Sequence, residues 1–258
     1  MSIKVAKADS PKRMKDFLDL PARIYSGCAQ YVPDFRSDIR RLFNPRYNAG
    51  LEFSSIQPFV AYKDGEPVGR IVGVVNRKAN KTWNRQVVRF SMIEFIDDQE
   101  VSSALLDTVA HWGRQQGMDT LQGPMGITDF DKEGMLVEDF ELMGSMTAYY
   151  NLPYYPKHLE QLGFVKEVDW LQVRINIPQE VPARFRRVAQ YARETVGLKV
   201  EKKDGQRRFA GRIRPKDIRP AERGIRPHLR LLCPVAPTSR RVLEEVCAAH
   251  GHATHTDD

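Results

Sequence analysis

Apolar and polar positions alternate with two different periods along this chain, and the periods predict the order of its helices and strands. Apolar and polar residues alternate over residues 3–8, which predicts a strand at the edge of a sheet. Ser10 and Pro11 then predict a helix start, because Ser caps free amides and Pro fits the first helical position. A second short helix is expected over residues 34–43, before a turn-rich segment.

Strands dominate the middle of the chain. Segments 56–63 and 68–76 are mostly apolar, and the Asp-Gly dipeptide between them predicts a tight hairpin. Arg70 interrupts the second segment and is expected to be a charge that faces the sheet edge. A polar, basic loop is expected over 77–86. The next segment, 87–95, is apolar over most of its length, which is typical of a central strand.

The helix after this strand has the clearest pattern in the sequence. Asp97 is its expected N-cap, with Glu100 three residues later as in a capping box. Gly117 is expected to end it. Residues on one face recur with helical spacing: Val101, Ala104, Leu105, Thr108 and Trp112.

Three further elements complete the predicted order: a short strand over 119–125, a helix that ends at Gly163, and a strand pair or long bent strand through Ile177. A helix between neighbouring parallel strands requires a crossover, whereas a hairpin is antiparallel. We therefore predict an α/β fold with a mixed central sheet flanked by helices, in one domain over residues 1–205.

Composition narrows the class of protein. Of the 258 residues, 41% are hydrophobic and 28% are charged, as in ordinary globular domains. No apolar run approaches ~18 residues, so no membrane span is expected. Three widely spaced cysteines and an N-terminus without a secretory pattern favour the reducing cytoplasm. No cysteine pair has metal-site spacing, and no metal is expected.

The net charge of +7 does not point to nucleic acid. Residues 1–205 hold 29 Lys and Arg against 27 Asp and Glu, whereas residues 206–258 hold 11 against 6. The excess thus lies mainly in the last fifth of the chain, and a basic folded face is not indicated.

Two motifs resemble the GNAT superfamily of acyltransferases. HLEQLGFVKE (158–167) resembles the superfamily's late helix-to-strand signature. GPMGITDFDKEGMLVEDFE (123–141), followed by YYNLPYYPKHLEQLGF (149–164), resembles a narrower group of bacterial GNAT-like proteins. The resemblance covers roughly residues 1–205. It implies a GNAT-like fold and an N-acyltransferase that moves an acyl group from acyl-CoA, such as acetyl-CoA, to a small-molecule or peptide amine.

The sequence departs from the GNAT pattern in two places. GNAT enzymes usually hold the CoA diphosphate on a glycine-rich turn at a helix start, where free N–H groups meet an anion. The equivalent stretch, 94–110, contains no Gly, and Asp97 and Glu100 are expected to occupy the amides while Asp98 adds negative charge. The tyrosine that often protonates the leaving thiolate is replaced by Leu159.

The resemblance nevertheless suggests candidate site residues. Tyr154 and Tyr155 are the candidate catalytic acids. Backbone groups around Met92, Ile93 and Phe95 are expected to position the acyl thioester. Tyr149, Tyr150 and Asn151 are expected to line a substrate cleft, although tyrosines beside prolines also pack loops onto cores. Two hypotheses remain: an N-acyltransferase, or a non-catalytic GNAT-like domain that binds a ligand or partner protein.

Residues 206–258 differ from the rest in composition, with ten Arg but one Lys, and residues 207–231 have no helical or strand period. They are interpreted either as an irregular basic tail or as an out-of-frame remnant of a second domain, produced by a reading-frame shift near residue 205. The sequence of the gene tests the second hypothesis.

Overall fold

The computed structural model describes residues 3–145, 147–173, 175–195 and 197. These fall into two units, one up to Asp169 and one from Trp170 onward. The predicted boundary at residue 205 and the basic tail 206–258 lie outside the described residues. The second unit contains one described helix, α6 (Ala183–Glu194).

The first unit holds the strands and the remaining helices. Its strands are β1 (Ile3–Lys7), β2 (Ser54–Lys63), β3 (Glu66–Asn76), β4 (Val87–Phe95) and β5 (Thr120–Gln122). Its helices are α1 (Pro11–Ile24), α2 (Arg36–Leu42), α3 (Arg77–Trp83), α4 (Gln99–Arg114) and α5 (Tyr154–Gln161), with a 3₁₀ turn at Ala49–Glu52. No described helix has the length and apolar character needed to cross a bilayer.

The strands form one sheet in the order β1-β2-β3-β4-β5. The first four are antiparallel to their neighbours, whereas β5 runs parallel to β4 after the α4 crossover. This confirms the predicted mixed sheet flanked by helices. The β2–β3 hairpin is also confirmed, since Asp64 (φ 53°) and Gly65 (φ 85°) both adopt the left-handed backbone that such a tight turn needs.

The sheet opens along one edge of β4. β5 pairs only with the segment Val87–Arg89, so the second half of β4 has no described strand on that side. Opposite β3, the register slips by one residue between Glu94 and Ser91. Met92 lies in this bulge with a φ of 47°, a conformation that is uncommon for a residue other than glycine.

Apolar side chains cover both faces of the sheet. On one face, Phe59, Ile71, Phe90 and Phe95 of the sheet share a core with Leu105 of α4 and Tyr155 of α5. On the other face, Val60, Val72 and Val74 of the sheet share a core with Phe17 of α1 and Ile39 of α2. Gly73 lets α4 approach the sheet closely, because a Cβ atom there would lie 2.7 Å from the Trp112 ring.

Two local predictions were wrong. The expected loop over 77–86 begins with helix α3, because the Asn76 side chain caps it by accepting from Ala79 N, and Ala79 is buried. The N-cap of α4 is Asp98, which accepts from Glu100 N, and not Asp97. In both cases the geometry of the preceding strand end decides which side chain reaches the free amides.

The strand predicted after Gly163 is also absent from the described residues. The alternating apolar side chains that suggested it are 78–91% exposed: Leu171, Val173, Ile175 and Ile177. Alternation makes one face of an extended segment apolar, but a strand forms only where neighbouring backbone pairs with it.

Candidate active site

Tyrosine hydroxyls cover the open edge of β4. Near the end of β5, Met125 N donates to Phe90 O at 2.8 Å. Beyond this point Tyr149 is hydrogen-bonded to the Met92 backbone. At the strand's end, Phe95 N donates to Tyr155 Oη at 3.2 Å, and Tyr154 Oη donates to Phe95 O at 2.6 Å. The two candidate catalytic tyrosines are therefore brought to the peptide of Phe95, a predicted thioester-binding residue.

Helix α5 places these tyrosines by starting at Tyr154. Tyr155 is fully buried, and its ring centroid lies 4.2 Å from that of Phe95. The Tyr154 ring packs edge-on against Phe95 at 5.7 Å. Because successive helical residues point about 100° apart, adjacent tyrosines straddle the same residue of the strand.

A buried ion pair lies beside this edge. Arg70 and Glu94 face each other across β3 and β4, with Nη2 and Oε1 3.7 Å apart and side chains 3% and 6% exposed. Arg70 Nη1 also donates to Phe17 O at 3.0 Å. The expectation that Arg70 faces the sheet edge was wrong, since β3 lies between β2 and β4 and Arg70 pairs with the Glu94 carboxylate on β4.

Two phenols complete the environment of Glu94. Tyr155 Oη donates to Glu94 Oε2 at 2.9 Å, and Tyr25 Oη donates to the same oxygen. Burial raises the pKa of Glu94, while Arg70 and the two phenols oppose this rise. Burial, with Glu94 nearby, also raises the pKa of Tyr25 and of Tyr155. The cluster therefore combines a carboxyl of raised proton affinity with phenols that stay protonated.

A small pocket of about 10 Å³, roughly the room of one water molecule, lies beside this cluster. It is lined by residues of β4 and of the segment after β5: Ile93, Glu94, Pro124, Gly134, Met135, Tyr149, Tyr150, Asn151 and Tyr155. The structure thus gathers all three candidate substrate residues, together with Ile93 and Tyr155, around one space. This volume is far below the roughly 300–1,000 Å³ of typical ligand sites, so the pocket must widen before it can hold a substrate.

The candidate substrate residues also hold the loop above the pocket. The Asn151 side chain accepts from Leu136 N at 2.7 Å and donates to Leu136 O at 3.0 Å. Tyr150 Oη donates to Phe140 O at 3.0 Å. Ser91 Oγ and Tyr149 Oη are 3.0 Å apart. These bonds fix the shape of the pocket, and the role of the three residues in substrate binding stays a prediction.

Carboxylates occupy the start of α4. Asp98 Oδ1 accepts from Glu100 N at 2.9 Å, and its Oδ2 accepts from Lys63 Nζ at 2.6 Å. The hydrogen bond from Lys63 lowers the pKa of Asp98. Asp97 turns instead toward α5, where its Oδ1 lies 2.9 Å from His158 Nε2. The helix start therefore carries the chain's own negative charge, although the capping residue differs from the predicted one.

A second polar cluster lies under the loop after β5. Buried Arg89 donates from Nη1 to Gly126 O at 2.9 Å. Burial raises the pKa of Glu133 to about 7, against the attraction of Arg89. The described residues contain no group of three His, Cys, Asp or Glu side chains suited to a metal ion.

Sequence reasoning missed the role of Glu94, Arg70 and Tyr25. A signal was present, since β3 carries Arg70 and β4 carries Arg89 and Glu94 within apolar runs. An opposite charge on each of two neighbouring strands is the pattern of a buried pair. The residues that face each other, however, depend on register and on the bulge.

The side chains as they stand do not fit acyl-CoA at two points. At the helix start, Asp98 already takes an amide, and Asp97 and Asp98 would repel a diphosphate. On β4, the Phe95 peptide is already bound by Tyr154 and Tyr155. A thioester arm and these phenols compete for the same backbone groups.

Comparison with known proteins gives two curated relatives, and no family model matches the chain. Protein YghO of Escherichia coli K12 is 28% identical over 163 residues, which are 62% of this chain and 42% of the relative. Bacterial ceramide synthase of Caulobacter vibrioides is 23% identical over 181 residues, or 70% of this chain and 47% of the relative. The chain spans somewhat less than half the length of these relatives.

Solved structures with a similar arrangement are acetyltransferases or GNAT proteins. A tandem GNAT protein from the clavulanic acid biosynthesis pathway has 13% identity and a TM-score of 0.42, covering 63% of this chain and 43% of that one. AAC(6')-Iy, in complex with a CoA-linked bisubstrate analogue, has 13% identity and a TM-score of 0.41, covering 69% and 100%. The order and direction of strands β1–β5, with a helical crossover before β5, give this chain the mixed α/β architecture that its sequence predicted.

Proposed function

We propose that this chain carries an N-acyltransferase centre, which moves an acyl group from a thioester to an amine. The observation that carries the proposal is a buried carboxyl, Glu94, which lines a pocket at the open edge of the central strand and is surrounded by phenols. The name of one relative, bacterial ceramide synthase, supports this reaction class, because a ceramide is an amide and an amide forms when an amine is acylated.

Glu94 is assigned the role of proton acceptor. When an amine attacks a thioester carbonyl, the C–N bond forms, the C–S bond breaks, and the amine must lose a proton. Glu94 lines the pocket, and burial raises its pKa, which makes it a stronger base than an exposed carboxylate. The hydroxyls of Tyr25 and Tyr155 fix the carboxyl, so that its position does not depend on the substrate.

Tyr154 is assigned hydrogen-bond donation to the reacting thioester once its hydroxyl leaves Phe95 O, and Tyr155 is assigned hydrogen-bond donation to Glu94 through its single hydroxyl proton. Burial raises the pKa of both phenols, so they remain protonated but are weaker acids than an ordinary tyrosine. Such groups stabilise a developing negative charge by donating a hydrogen bond, without losing the proton. Tyr149, Tyr150 and Asn151 would contact the amine, and backbone groups of Met92, Ile93 and Phe95 would orient the thioester.

The test follows thiol release by the full chain with acetyl-CoA and longer acyl-CoAs, each with small, peptide and long-chain amines. Glu94→Gln is expected to lower kcat/KM by on the order of 10²-fold or more, as loss of a general base does. Glu133→Gln is the matched control, because Glu133 is a largely buried carboxyl that does not line the pocket.

Binding is measured separately by thermal shift. A ligand at about 100 times its Kd adds about 2.7 kcal/mol of stability. If no thioester shifts the unfolding temperature and no thiol is released, the acyltransferase proposal is wrong. A shift without turnover would instead identify a non-catalytic binding domain.

A further inference from the structure

We infer that His158 is a positioning residue that clamps α5 over the Phe95 peptide, so that an acyl donor reaches the open edge of β4 only when the clamp is released. The nature of the ligand rests on the proposed function. The motion of α5 does not, and it can be measured without any ligand.

The ring nitrogens of His158 contact the segment before α4 and the first turn of α4. Its side chain is buried, with Nε2 2.9 Å from Asp97 Oδ1 and Nδ1 3.1 Å from Ser102 Oγ. The backbone adds a third tie, since Gln99 Nε2 donates to His158 O at 3.2 Å. These contacts join the middle of α5 to the helix that begins where β4 ends.

The clamp and the tyrosines act on the same strand residue. The His158 ring packs against Phe95, with centroids 5.2 Å apart, one helical turn after Tyr154. Tyr154 and Tyr155 hold Phe95 O and Phe95 N from the same short helix. α5 is only eight residues long, so a shift that frees His158 also withdraws both hydroxyls.

An extended ligand that pairs with β4 needs the Phe95 N–H, which donates to Tyr155 in this structure. A donor that binds only the released state has an affinity reduced by the fraction of molecules in that state. Weakening the clamp should therefore tighten donor binding. Ordinary structural damage to the site would weaken it, so the sign of the change separates the two explanations.

Two variants release the clamp in different ways. His158→Phe keeps an aromatic ring against Phe95 and removes both ring nitrogens. Asp97→Ala removes one partner from a side chain that is 68% exposed, so folding should be little affected. Glu100→Ala is the matched control, because it removes an exposed carboxylate from the same helical turn and has no described contact with His158. The Kd of this variant for acetyl-CoA shows how far the loss of one negative charge, by itself, favours binding of a diphosphate.

The full chain and its variants are compared by amide hydrogen exchange and by calorimetric titration with acetyl-CoA. In His158→Phe and Asp97→Ala, exchange over residues 90–98 and over α5 should accelerate about three- to tenfold, and the Kd for acetyl-CoA should fall by a similar factor. Glu100→Ala should leave exchange unchanged.

Unchanged exchange in both release variants would overturn the inference, as would a Kd that falls equally in Glu100→Ala. Faster exchange in both release variants without acetyl-CoA binding in any protein would support the clamp while removing support for the proposed function.

Discussion

The Arg70–Glu94 pair allows a prediction whose size follows from burial. Arg70→Met leaves the buried Glu94 carboxylate without its cation, and Glu94→Gln leaves the buried Arg70 guanidinium without its anion. Removing one partner of a buried pair typically costs about 3–5 kcal/mol. For a chain of this size, this lowers the unfolding temperature by roughly 6–20 °C. The double variant should cost clearly less than the two single costs together, because no lone charge remains buried.

The cost in unfolding free energy should depend on pH differently in the two single variants. Without Arg70, which lowers the pKa of Glu94, this pKa rises further, and the carboxyl can take up a proton instead of staying charged. The cost of Arg70→Met should therefore shrink as pH falls from 7 to 5. In Glu94→Gln the carboxyl of raised pKa is absent, so this variant lacks the stability that the wild type gains on protonation, and its cost should not shrink as pH falls over that range.

The free energy of unfolding is measured by urea denaturation, followed by circular dichroism, at both pH values. The four proteins compared are the wild type, the two single variants and the double variant. Single costs below about 1 kcal/mol that simply add in the double variant would show that the pair is solvated and that the reasoning from burial fails. Such a result would also weaken the assignment of Glu94 as a base of raised pKa.

Three other contacts yield predictions. Burial raises the pKa of Glu133 to about 7, above its ordinary 4.5, so the Glu133 carboxyl binds a proton more tightly in the folded state than in the unfolded state. The stabilisation is complete below about pH 4.5 and is lost as pH rises toward 7, and Glu133→Gln should flatten this slope in urea titrations. Gly113→Ala should cost about 1–3 kcal/mol in the same assay, because a Cβ there would lie 2.7 Å from Val88 Cβ; an unchanged midpoint would contradict this. Asp98→Ala should cost about 1 kcal/mol through the lost cap, whereas Asp98→Asn, which keeps a capping side chain, should cost clearly less.

Features that depend on near neighbours in the chain could be predicted. The β2–β3 hairpin follows from an Asp-Gly turn whose two residues accept a left-handed backbone. The period of α4 follows from apolar spacing, and Val101 and Leu105 are fully buried as expected. Tyr149, Tyr150 and Asn151 could be singled out by composition, and the structure gathers them at one pocket.

Features that depend on contacts between distant parts of the chain could not be predicted from the sequence. Apolar residues alternate through Ile177, as they would along one face of a strand. This pattern does not indicate whether a neighbouring strand is present to pair with the segment. In the same way, polar residues 77–83 gave no apolar period, yet a cap at Asn76 and one buried alanine suffice for helix α3.

The amino-acid sequence by itself determined the order of the main elements and the negative charge at the start of α4, because turns, caps and amphipathic periods act over a few residues. Only the tertiary structure decided that Glu94 meets Arg70 and that two phenols cover the Phe95 peptide. Those contacts join residues 24 and about 60 positions apart, and they depend on strand register, on the bulge at Met92 and on where α5 packs.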